Sequence, residues 1–200
     1  MRTLWTGIAL ASVLIVAPTL ASAQTAPRQN TAKESKSSKS SDSKMSRADG
    51  KFIKEAAEGG MAEVQLGQLA EQRAASDSVK QFGKRMATDH QKASNELKQL
   101  ASQKGWDMPT ALDRSHQRTY DKLSKLNGAD FDRAYMKEMV RDHDRDVKAF
   151  RKEADSGSDA DLKAWASKTL PTLQEHQQQA KQAQASVSGK NSPAASPRTK

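Results

Sequence analysis

The chain has no cysteine among its 200 residues. That absence excludes a disulfide framework, a thiolate metal site and a cysteine nucleophile. Aromatic residues make up only 4% of it, and none accompanies the lysines of the run "KESKSSKSSDSK" to stack on bases. It also lacks an alternating apolar/polar run of strand length, a phosphate-binding glycine loop, a dinucleotide fingerprint and a nucleophile elbow. Long apolar runs are missing too, apart from one at the very start. What remains is helix-forming sequence, and it must hold itself together by packing alone.

The one apolar run reads "LWTGIALASVLIVAPTL" after Met1-Arg2 and ends in "ASAQ". Ala21 and Ala23 occupy the small-residue positions of a signal-peptidase site, so residues 1–23 read as a cleaved leader of bacterial type. A retained membrane anchor is the competing reading, but the run is short and broken by Pro18. No cysteine follows it to carry lipid. The expected place is the periplasm or the outer envelope, with no membrane span left after cleavage.

A net charge of +9 suggests nucleic acid until it is located. Residues 24–48 hold six basic and two acidic residues, and 186–200 hold three basic and none acidic. Between them, 49–185 carry 23 basic and 22 acidic residues. The two basic segments are rich in Ser, Lys and Pro and are expected to be disordered. They are either solubilising linkers or contacts for an anionic envelope component. Export and the location of the charge argue against a nucleic-acid partner.

Residues 49–185 read as all-α. Ser46 offers a cap for a first helix to about Ala75, and "SDS" at 76–78 opens a second that stops at Gly105. A short amphipathic piece spans roughly 112–126. Asp130 is expected to cap a third long helix to about Asp155, and Ser158-x-x-Asp161 resembles a capping box for the fourth. Two short turns and one long connection make a ferritin-like four-helix bundle with a short extra helix in the crossover. Gly59-Gly60, costly inside a helix, predicts a close approach by another helix or side chain. Pro171 predicts a kink in the last helix.

One phrase occurs twice. "RMATDHQKA" and "EMVRDHDRD" share Met-x-x-Asp-His. His90, His143 and His176 each lie in an apolar stripe of a different helix, and Glu63 does so on the fourth. By residue count His176 sits about 9 Å deeper than His143 on an ideal helix. Polar groups meeting in a dry core must satisfy one another or bind something. Two readings stand: a hydrogen-bonded network, or a transition-metal site formed by Glu63, His90, His143 and His176. Asp89, Asp142 and Glu175, beside the histidines, are candidate ligands or orienters. Met86 and Met139 lie four residues before their histidines, as core residues or as soft ligands for copper(I). His116, in a polar segment, is expected to be exposed.

The stretches "EAAEGGMAEVQLGQLAEQRA", "VKQFGKRMATDHQKASNELKQLA", "LNGADFDRAYMKEMVRDHDRDVKAF" and "LKAWASKTLPTLQEHQQQA" closely resemble the domain of unknown function 4142. That is a ferritin-like family of exported bacterial proteins, often described as predicted outer membrane proteins. The resemblance covers about 49–185 and implies the same bundle in the envelope, with no established activity. Ferritin-like metal sites use Glu-x-x-His pairs, yet the positions three before the histidines are Ala87, Val140 and Leu173. That departure argues against a di-iron oxidase. No catalytic residue is assigned, and no cofactor is required by the sequence. The two function classes are a non-catalytic envelope protein that binds a partner or metal, with a role in stress tolerance, and a metalloenzyme or metal-handling protein of ferritin-like type.

Overall fold

In the computed structural model, residues 45–189 are described. The expected leader, most of the Ser/Lys-rich linker and most of the basic tail lie outside them. Five helices follow in order: α1 (Arg47–Arg73), α2 (Asp77–Lys104), α3 (Arg114–Leu123), α4 (Gly128–Ser156) and α5 (Ala160–Val187). The four long ones form the bundle, and α3 rides in the crossover between α2 and α4.

Cross-helix pairs give the directions. Arg73 meets Asn127 and Asp49 meets the Ser158–Asp159 turn, so α1 and α4 run antiparallel. Arg85 meets Glu175, Glu96 meets Lys168 and Lys104 meets Asp159, so α2 and α5 do as well. The two hairpins, α1–α2 and α4–α5, therefore stand side by side. The connection from Gly105 to Asn127 must run the length of the bundle, which makes it the single long crossover of a ferritin-like arrangement.

Helix ends follow local chemistry. Ser46 Oγ accepts from the Asp49 N–H at 3.0 Å and caps α1. Gly105, at φ 67°, closes α2 in the left-handed conformation that glycine alone adopts without strain. Two expected caps move. Asn127, not Asp130, precedes α4, and Asp130 lies in its first turn. Asp159, not Ser158, caps α5, accepting from the N–H groups of Asp161 and Leu162. Helix α5 runs unbroken through Pro171.

Two buried aspartates tie the hairpins together. Asp132, early in α4, accepts from the Ala75 and Ser76 N–H groups at 3.1 and 2.9 Å. Asp49, early in α1, accepts from those of Ser158 and Asp159, both at 3.1 Å. Each hairpin thus holds the other's turn.

The core is in two parts. One apolar cluster gathers Leu66, Leu69, Phe82, Met86, Phe131, Tyr135 and Met139 near the α1–α2 turn. The other gathers Phe52, Ile53, Leu97, Phe150, Leu162 and Trp165 near the α4–α5 turn. Along every long helix, the polar residue at the boundary is Glu63, His90, His143 or His176. His176 lies between Leu173 of one cluster and Ala180 of the other. It thus reaches the level of its partners despite the offset expected from residue counting.

The glycine pair divides. A side chain on Gly60 would meet Ser94, but nothing lies within 4 Å of where one would sit on Gly59. The close crossing is elsewhere, at Gly67 and Gly83. A Cβ on Gly83 would lie 2.6 Å from Ala70 Cβ and 2.8 Å from the Gly67 carbonyl oxygen. Gly83→Ala should therefore destabilise by roughly 1–3 kcal/mol, overriding the ~1 kcal/mol that alanine gains in an exposed helix. Urea titration measures this, and a more stable variant would mean the backbones are not in contact.

Candidate functional site

His90 on α2, His143 on α4 and His176 on α5 meet at the boundary between the two apolar clusters. Their ring centroids are 5.4–5.6 Å apart pairwise. One nitrogen of each ring lies within 4.8 Å of the other two, and all three residues are buried. Among the described residues this is the one such group of metal-ligating side chains.

Hydrogen bonds fix the tautomers of two of the three rings. His143 Nδ1 is 2.9 Å from the Met139 carbonyl oxygen, which can only accept, so Nδ1 carries the proton. His176 Nε2 is 2.8 Å from Asp89 Oδ2 and donates to that carboxylate by the same logic. The lone pairs then fall on His143 Nε2 and His176 Nδ1. Those two atoms, with His90 Nε2, are buried and without a partner. Among the described residues no histidine donates to another, and the one histidine–carboxylate hydrogen bond at the cluster is that of His176 to Asp89.

Burial keeps the rings neutral. It lowers His90 well below the ordinary histidine value, with His143 and His176 adding to the effect. It brings His143 to about 4, and His176 adds to that effect. His176 is lowered by burial as well, against the raising influence of Asp89. On Asp89 burial pushes upward, but hydrogen bonds from His176 and Arg85 outweigh it and hold the carboxylate below its usual range. Since the folded pKa of His143 lies below the unfolded one, near 6.5, its contribution to stability is complete above that pH. It is lost as the pH falls toward 4, by roughly 3 kcal/mol. Asp146, raised by burial to about 6, acts in the opposite direction. Its contribution is complete below its unfolded pKa and lost as the pH rises through 6. In an NMR titration the His143 ring resonances should stay at their neutral position until about pH 4; movement centred near pH 6.5 would mean that water reaches the ring.

The other expected site residues are placed differently. Glu63 is buried but lies behind His143, with Oε1 3.9 Å from Nδ1, too far for a hydrogen bond and on the side away from the free nitrogen. Burial first, then Asp146 and Glu138, hold its carboxyl well above the usual range. Asp142 pairs with Arg145, and Glu175 with Arg85 at 2.7 Å on the surface. Asp89 orients a histidine, but that of α5 rather than its own neighbour His90. Met86 and Met139 are packed in the apolar cluster, and Met139 contributes its backbone carbonyl. His116 is half-buried rather than exposed, with Nδ1 3.0 Å from Asp113.

A cleft of about 280 Å³ opens beside the triad. Its lining includes His90, His176 and Asp89, the apolar Leu97, Phe150 and Trp165, and polar side chains such as Thr169 and Thr172. Asp146 also lines it, one turn beyond His143 on α4. The sequence pattern His143-x-x-Asp146 carried that signal, since positions three apart share a helix face.

No curated protein matches this chain. Among solved structures it is similar to the crystal structure of a DUF305 fragment from Deinococcus radiodurans, with a TM-score of 0.62 and 12% identity. The match covers 71% of this chain and 98% of that one. At that identity the likeness concerns the fold. The family model described as domain of unknown function (DUF4142) matches residues 34–183. With its all-α bundle and short crossover helix, the chain belongs to the DUF4142 family.

Proposed function

We propose that this bundle is a transition-metal-binding protein that holds one ion on His90, His143 and His176. The observation that carries the reading is the convergence of three neutral, buried imidazoles whose free nitrogens have no other partner. Nitrogen ligands around a tetrahedral zinc-sized ion are ~3.3 Å apart, given bonds of ~2.0 Å. The rings would close by an ångström or more to reach that spacing. Asp89 and the Met139 carbonyl already orient two of them, as outer partners do in histidine metal sites. Three imidazoles and no thiolate suit zinc, copper(II) or cobalt(II). The apolar setting of Met86 and Met139 supports a packing role for them over ligation.

Binding is favoured over di-iron chemistry. The triad is accompanied by a single orienting carboxylate, and no second ligand group stands beside it among the described residues. We place the protein outside the cytoplasm, on the strength of the leader and cleavage motif in residues 1–23. There a metal-holding bundle suits a role in metal handling or stress tolerance.

Equilibrium dialysis of the full chain against zinc, copper(II) and cobalt(II) tests the reading. One ion per chain is expected, with affinity reduced at least a hundredfold in His143→Ala and unchanged in His116→Ala. No stoichiometric ion, or equal binding by both variants, would sink it.

A further inference from the structure

The cleft beside the triad has an unexplained floor. Gly59 lies in the interior of α1, where glycine costs ~1 kcal/mol relative to alanine. Unlike Gly60, Gly67 and Gly83, it faces no neighbouring group within 4 Å of where its side chain would begin. It lines the cleft, so what its missing side chain preserves is the open space.

The same cleft is lined by two buried residues with unpartnered nitrogens, His90 through Nε2 and Trp165 through Nε1. Trp165 and His176 are eleven residues apart on α5, about 16 Å along the helix. The space therefore extends along α5, with a ligand-seeking group at one end and a hydrogen-bond donor toward the other. Between them run Ala93, Leu97 and Phe150, with Thr169 and Thr172 of α5 also lining the cleft. At the rim, Lys168 pairs with Glu96 at 2.9 Å and Arg85 with Asp89 at 3.2 Å, so those charges are largely matched.

We propose that the cleft binds an elongated organic acid. One carboxylate takes the free coordination position of an ion held by the histidines, and the far end accepts a hydrogen bond from Trp165. This rests on the metal reading above. Three histidines leave a fourth position open on a tetrahedral ion, and the cleft is the route to it that His90 and His176 line. A divalent charge at that end attracts a carboxylate and repels an ammonium group. It outweighs the single carboxylate of Asp146, which has no ion pair or hydrogen bond among the described residues. The apolar stretch takes a methylene chain, and the Trp165 N–H calls for an acceptor beyond it.

The probes are α,ω-dicarboxylates from succinate to dodecanedioate, with monocarboxylates of matched length, added to the cobalt(II)-loaded full chain. Roughly eight to twelve carbons span on the order of 10–15 Å when extended. Diacids of that length should shift both the cobalt absorption bands and the Trp165 fluorescence. They should bind at least tenfold tighter than the matched monoacids. Gly59→Leu should weaken acid binding at least tenfold and leave cobalt affinity unchanged. Trp165→Phe should erase the preference for diacid over monoacid, and it decides alone if Gly59→Leu does not fold. Cobalt bands indifferent to every acid would overturn the proposal, as would a response that does not depend on chain length. If cobalt itself fails to bind, the metal reading falls first, and the titration shows this before any acid is added.

Discussion

Zinc at a thousand times its dissociation constant should stabilise the bundle by about 4 kcal/mol, since only the folded chain gathers the three histidines. For a domain of this size each kcal/mol moves the melting midpoint by ~2–4 °C, so a rise of ~10 °C is expected. His90→Ala combined with His143→Ala should abolish the rise, because the remaining imidazole cannot hold an ion alone. His116→Ala should leave it intact, because that ring lies in α3 and faces Asp113. Calorimetry with and without a chelator makes the comparison. A rise that survives the double substitution would place the ion elsewhere.

The second large effect belongs to the aspartate clamps. Asp132→Ala removes the acceptor for two consecutive backbone N–H groups, and Asp49→Ala does the same at the opposite turn. Bonds to a carboxylate contribute roughly 1.5–3 kcal/mol each, and a donor stranded in a buried place costs a comparable amount. Each substitution should therefore cost about 3 kcal/mol or more. The double variant should be close to additive, since the clamps sit at opposite ends of the bundle. Denaturant unfolding gives both numbers. Losses below ~0.5 kcal/mol at both positions would mean that water replaces the carboxylates without penalty.

The sequence marked the histidines well and their partners poorly. His90, His143 and His176 stand out because a polar residue in an apolar stripe breaks a 3.6-residue period that each helix otherwise keeps. Which ring atom faces which neighbour depends on the adjoining helix, and no local pattern carries that. Asp89 therefore reads as a companion of His90, yet it serves His176 across the bundle. Glu63 shares the level of the histidines but lies on the far side of one ring. The clamps are hidden in the sequence for a related reason. An aspartate at the start of a helix looks like an ordinary dipole or capping residue, and nothing near Asp132 points to a turn 56 residues earlier. Gly67 and Gly83 are single glycines on different helices, whereas Gly59-Gly60 draws the eye as a pair. The pair was only half about packing.

The division of the core by a polar layer also restricts how these helices can be threaded together. Helices with a uniformly apolar seam can slip past one another by a turn, ~5.4 Å, and still bury similar surface. Here a slip of α2, α4 or α5 would carry a histidine into an apolar cluster, a slip of α1 would carry Glu63 there, and either would bring an apolar side chain against the remaining rings. Both displacements leave a polar atom in dry surroundings, so the shifted alignments are penalised twice. The same residues that offer a ligand set also single out one alignment of four otherwise similar amphipathic rods.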